Sequence, residues 1–255
     1  LVTVSSQASE KAEEHAPAGP ACEGFGPQAP RDIDSRAGES PQIFSMAPSY
    51  QDMNLCNIHF HNNAEHKGKA FPIYVQGEHD HGGYQCAISK KLSAAELAPP
   101  AKEICKSLKP GDTVEVHWVH SSCQVTPGKG LGACLNDKCS NPGLRVEAQV
   151  FTLVNDPKAL NFKDFDYSGK TVQGHPQADG IPKGKSALYL GSTTGPKYND
   201  SACSPLQVTW SVRENCAKLD INSLGEWCEK NGFEEDHAHG VRKLVENPKL
   251  LSKIK

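Results

Sequence analysis

MNLCNIHFH, residues 53–61, decides both the fold and the chemistry. Beyond Leu55 the stretch alternates, which predicts a strand, and the polar run 62–68 breaks it. Side chains two apart on a strand share a face, so His59 and His61 project together while Ile58 and Phe60 point the other way. Two imidazoles so placed can share one metal ion, and an open zinc site takes three protein ligands and leaves the fourth position to water.

The third ligand has to come from a neighbouring strand. The turn Pro110-Gly111-Asp112 leads into TVEVHWVH, residues 113–120, a β-branched and aromatic run that reads as that strand. His117 is its best candidate, sharing a face with Glu115 and Val119, whereas Val116, Trp118 and His120 face away. Glu115 can accept a hydrogen bond from the second ring nitrogen of His117 or of a neighbouring ligand and fix its orientation. From spacing alone, packed or solvent-facing histidines stay open beside a metal site.

Further strands are expected at 144–155, 187–190 and 206–213. Ser93 with Glu96 three residues on is a capping box for a short helix at 93–97, stopped by Pro99 and Pro100. A second helix is expected at 235–247, with His237, Val241, Leu244 and Val245 inward and Pro248 ending it. The whole reads as mainly β: a central β-sheet with long irregular loops and a few short helices.

Composition narrows the classes. The 27 basic and 30 acidic residues leave a net charge of −3, with no basic stripe for nucleic acid. No apolar run reaches the ~20 residues of a membrane helix. The glycines near 128–132 make no phosphate loop, so ATP and dinucleotide chemistry have no handle. Ten cysteines without a Cys-x-x-Cys pair favour disulfides over thiolate zinc, hence a secreted, periplasmic or extracellular protein handled as a mature form without its signal peptide. Residues 1–20 read as a flexible arm and 21–255 as the catalytic domain. LVTVSS, residues 1–6, resembles the last strand of an antibody heavy-chain variable domain and is set aside as a cloning scar or a chance match.

Three segments together resemble the carbonic anhydrases: CNIHFHNNAEHKG (56–68), VEVHWVH (114–120) and YLGSTTGPKYNDSACSPLQVTW (189–210). The wording of the first, of LGSTTGP and of EDHAHG (235–240) is closest to the delta class. The resemblance implies one alpha-carbonic-anhydrase-like domain that hydrates carbon dioxide to bicarbonate and a proton. It makes His59, His61 and His117 ligands of zinc, with Glu115 behind them. It gives Thr193 the hydrogen bond from zinc-bound hydroxide, Glu65 the orientation of that threonine, and Thr194 a contact to bicarbonate. GPQAPRDI (26–33) is similar to the amino-terminal segment of the alpha class and places Gln28 behind the site. Cys22 and Cys203 fall where extracellular alpha enzymes carry a bridge.

One departure concerns the proton shuttle. The alpha class carries its shuttle histidine before the ligand strand, and residues 40–55 here contain none. His79 and His81 in GEHDHGG are loop candidates, set against an exposed pair or an adventitious metal site. His237 and His239 stay outside the three-ligand set, with a second metal site, a cap or a hydrogen bond within the fold as their alternatives. The partners implied are carbon dioxide, water and bicarbonate, with a homo-oligomer left open. Competing readings are another zinc hydrolase such as an esterase or lactonase, a cupin-like dioxygenase, and a non-catalytic disulfide-stabilised β binding module.

Overall fold

The alternation at 53–61 forms β1 (Asn54–Asn62), and the run after Pro110 forms β4 (Thr113–Ser121). The computed structural model describes residues 22, 24–42, 44–77 and 81–255, so the arm at 1–20 lies outside the described residues. The strands β5 (Leu144–Val154), β8 (Ser186–Ser192) and β9 (Gln207–Asp220) complete a sheet of order β1-β4-β5-β9-β8. Its pairs are antiparallel except for β5 with β9. Small hairpins β2 (Ile73–Val75) with β3 (Gly83–Gln85) and β6 (Thr171–Val172) with β7 (His175–Pro176) flank it. β9 runs well beyond the expected 206–213, because its second half pairs with β5 past a bulge between Ala148 and Val150.

Both faces of the sheet are buried, so its strands carry buried residues at successive positions, among them polar ones such as Asn57, Glu115 and His117. One face packs Phe60, Val116, Trp118 and Phe151 against Phe162, Leu224, Trp227 and Phe233. The other gathers Val119, Val146, Val150, Tyr189, Val208 and Trp210.

The helices depart from expectation. Residues 235–247 are not helical: the donors that would close i→i−4 bonds are engaged elsewhere. His239 N donates to the Phe60 carbonyl (2.8 Å), Val245 N to that of Pro30 (2.9 Å), and the His239 carbonyl accepts from Asn62 N (2.9 Å). The segment therefore meets the free edge of β1 at one bridge, His61 with His239. The α-helix is instead α1 (Ile221–Glu229), capped by Asp220, whose carboxylate accepts from Asn222 N. It buries Ile221, Leu224, Trp227 and Cys228, and Ile104 packs close over Gly225, so that a Cβ there would push the Ile104 side chain aside. The capping box at Ser93 and Glu96 forms reciprocally (2.8 and 3.2 Å) but closes a single turn only. Pro99 and Pro100 follow too soon for a second turn.

All ten cysteines pair: Cys22–Cys203, Cys56–Cys134, Cys86–Cys216, Cys105–Cys228 and Cys123–Cys139. Five bridges fit an oxidising compartment. No helix of the described residues is long and apolar enough to cross a membrane.

Candidate metal centre

Antiparallel pairing sets His59 opposite His117 and His61 opposite Glu115. The three imidazoles gather on one face with ring centroids 4.7 to 5.1 Å apart. One nitrogen of each ring is already engaged. His59 Nδ1 donates to Asn57 Oδ1 (2.6 Å), His61 Nδ1 to the Gly240 carbonyl (2.9 Å) and His117 Nε2 to Glu115 Oε1 (2.7 Å). That leaves His59 Nε2, His61 Nε2 and His117 Nδ1 with free lone pairs. His61 Nε2 is buried and has no partner, an arrangement that costs about 1–3 kcal/mol unless something fills it.

The donor set fits zinc. One ligand atom from each histidine lies within 4.8 Å of the others, and an all-imidazole triad with an open fourth position is the pattern of a catalytic zinc site. Burial depresses all three pKa values, with His61 lowered to about 4, so the rings are neutral and ready to ligate.

Behind the triad sits Glu115. Its Oε1 accepts from His117 and from His66 Nδ1 (2.7 Å each), and its Oε2 accepts from the His66 backbone (3.0 Å). Burial pushes this carboxyl up, but the His66 charge and the bonds from His117 and His66 overcome it and hold it well below the usual range. His66 Nε2 meets the Tyr189 hydroxyl at 2.6 Å.

The threonine loop corrects the sequence reading. Thr193 is buried, and its hydroxyl bonds the Ser204 hydroxyl instead of Glu65. The threonine whose side chain acts on Glu65 is Thr194, pulling down a carboxyl that burial raises to about 7. Thr194 acts from beyond a close hydrogen bond, since Glu65 Oε2 has no partner at bonding distance; Oε1 accepts from Arg242 N (3.3 Å). Adjacent side chains of extended chain point to opposite sides, so only one of two neighbouring threonines can face Glu65. Gln28 lies beneath the loop, its Oε1 accepting from Ser192, Ser204 and Arg242.

The triad floors a cavity of about 250 Å³. Val119, Leu131, Val146 and Trp210 give it an apolar side, and Thr194, Glu235 and His239 a polar one. Two contributors were missed in the sequence. Asn57 sits two residues before His59 on the same face of β1, a signal that was available. Glu235 was masked by the helical reading of its segment, and of the alternatives left open for His239 the structure shows a hydrogen bond within the fold. His239 Nε2 bonds Glu235 Oε2 (2.6 Å) at the cavity wall, a contact that raises its pKa against the effect of burial.

Other candidates fall outside the cavity. His81 is not among its lining residues, and His79 lies outside the described residues. His237 is exposed, its Nδ1 bonded to Asp236 (2.5 Å). His120 is fully buried on the opposite face of β4, 5.4 Å from the Tyr50 ring.

No curated protein sequence matches the chain. Among solved structures, a hyperthermostable carbonic anhydrase identified from an active hydrothermal vent chimney shares 17% identity, with 89% of this chain and 86% of that one covered, at a TM-score of 0.36. The alpha-carbonic anhydrase of Thermovibrio ammonificans, in complex with the inhibitor sulfanilamide, shares 16% over 86% and 84% (TM-score 0.29). That of Photobacterium profundum shares 18% over 87% of each chain (TM-score 0.29). Likeness at this level carries no weight of its own. The model of the delta carbonic anhydrases matches residues 50–223, across β1, β4, the threonine loop and β9, and the chain belongs to that family.

Proposed function

We propose that this protein is a zinc enzyme that reversibly hydrates carbon dioxide to bicarbonate and a proton. The observation that carries the reading is the buried, partnerless His61 Nε2, converging with His59 and His117 beneath an apolar wall. Bound there, zinc supplies hydroxide near neutral pH by lowering the pKa of water from 15.7 to about 7. The neutral imidazoles leave the ion its positive charge, which thiolates would drain.

The rest is done by this chain's own groups. Glu115 and Asn57 hold the ring tautomers that turn the free nitrogens inward. With zinc bound, Thr194 would direct its hydroxyl proton toward the Glu65 carboxylate, leaving its oxygen as the acceptor that would orient the hydroxide supplied there. Val119, Val146 and Trp210, whose indole N–H is taken by the Ser192 carbonyl, offer carbon dioxide a site without a free hydrogen-bond donor. Here Thr194 takes the role that the sequence resemblance gave to Thr193.

Stopped-flow carbon dioxide hydration on protein of measured zinc content tests the reading, beside a His117→Ala control. Fast turnover at one zinc per chain, lost in the control, supports it. Background rates from folded, zinc-loaded protein overturn it.

A further inference from the structure

Beneath the threonine loop lies a knot of buried polar groups that the mechanism above does not use. Gln28 Oε1 accepts three hydrogen bonds of 3.0 Å, from Ser192 Oγ, Ser204 N and Arg242 Nη1. Gln28 Nε2 donates to the Ser204 carbonyl (3.2 Å). Ser204 is thereby fixed at both its backbone groups, and its neighbour Cys203 is bridged to Cys22. The Ser204 hydroxyl is free to act from this anchored base, and it bonds the Thr193 hydroxyl.

Thr193 is in turn held at three points. Its N–H donates to the Leu206 carbonyl (2.9 Å), its carbonyl shares the single hydroxyl proton of Ser192 (3.1 Å) with Gln28 Oε1, and its hydroxyl is engaged by Ser204. Gln28, Ser192 and Ser204 are fully buried and Thr193 nearly so, so water cannot replace these partners. A threonine has one stiff χ1, and fixing its oxygen fixes the rotamer. Two adjacent hydroxyls border the cavity, and this bond removes one of them from it.

We propose that Thr193 is a positioning residue: latched to Ser204, it sets the threonine loop so that Thr194 alone presents its hydroxyl to Glu65 and to the cavity. The role rests on the function proposed above. Without the latch, the Thr193 hydroxyl swings toward the cavity and Thr194 loses its fixed direction, while the triad, on β1 and β4, is untouched.

The test is a double-mutant cycle on zinc-loaded protein with Thr193→Val, Ser204→Ala and both together, and Thr193→Ser as the conservative replacement. Each single variant is expected to lower kcat about tenfold, with KM for carbon dioxide and zinc content unchanged. The double variant is expected to be no worse than either single one, and Thr193→Ser to restore most of the rate. Hydrogen–deuterium exchange on the metal-free chain gives a readout independent of turnover, with faster exchange across 193–204 in Ser204→Ala. Additive losses, or a wild-type rate and wild-type exchange in Ser204→Ala, overturn the latch even if Thr193→Val does not fold. An inactive zinc-loaded wild type whose loop exchange still rises in Ser204→Ala overturns the proposed reaction and leaves the latch standing.

Discussion

On one face of β4, Val114, Val116 and Trp118 are packed among Phe162, Leu224 and Trp227; on the other, one residue along the same backbone, Glu115 and His117 are buried to the same degree. The two faces meet burial by different means. The apolar side needs only volume and shape, and many side chains could supply these. The polar side needs a partner for each buried atom, and nearly every one has been found: Glu115 serves His117 and His66, and His66 reaches Tyr189. Two atoms around the triad are exceptions: Glu65 Oε2, and His61 Nε2, the one that points at the proposed metal. Errors on the first face should therefore cost stability, and errors on the second should cost metal and turnover.

The comparison can be broken at four places. Trp118→Ala should lower unfolding free energy by about 3–5 kcal/mol in urea titration, while zinc affinity of the folded fraction stays at the wild-type value. A loss of zinc affinity would show that the faces are coupled.

His120 is the polar intruder on the apolar side, with both ring nitrogens lacking a partner at bonding geometry. Burial lowers it to about 4, against the opposing charge of Glu147. Above about pH 6.5 the ring is neutral in both folded and unfolded chains. Between 6.5 and 4 the unfolded chain takes up a proton that the folded one refuses, so stability is lost as the pH is lowered, by about 3 kcal/mol at the foot of that window. His120→Phe should flatten this acid slope, as read from urea midpoints at several pH values; an unchanged slope would place the acid sensitivity elsewhere.

Glu115→Gln should weaken zinc binding by about 10–100-fold in competition with a chelator, with the melting temperature of the metal-free chain little changed. Asn57→Ala should act in the same sense at the lower end, about tenfold, because the ring of His59 retains the packing of its neighbours. If Asn57→Ala exceeds Glu115→Gln, the Asn57 amide, which also donates to the Gly128 carbonyl, is holding the loop as well as the ring.

Much of this was legible because it is local. Period-two alternation placed His59 and His61 on one face, and Glu115 with His117 on another strand's equivalent face. The pairing that brings the two strands into register is long-range, yet their polar faces can be buried together in few ways. Thr193 and Thr194 could not be told apart, since a one-residue step along the backbone decides which hydroxyl meets Glu65, and Ser204 enters that decision from eleven residues away. The segment 235–247 has helical spacing, but the open edge of β1 claims its backbone. α1 carried a readable cap at Asp220 and apolar residues at 221, 224, 227 and 228, a pattern interrupted by Gly225. Only the Cys22–Cys203 pairing was anticipated, from resemblance; of the other four, three join segments 78 to 130 residues apart, which spacing does not reveal.

The parallel pairing of β5 with β9 has a kinetic consequence. Its partners, such as Leu144 and Val208, are far apart along the chain, and a parallel ladder cannot be started by a tight turn. Large loops must close before the central ladder gains anything, which places assembly among the slow, millisecond-to-second folders of high contact order. Until β9 docks, β5 presents an unpaired edge, so the newly made chain is most prone to aggregate at the strand that later lies at the middle of its sheet.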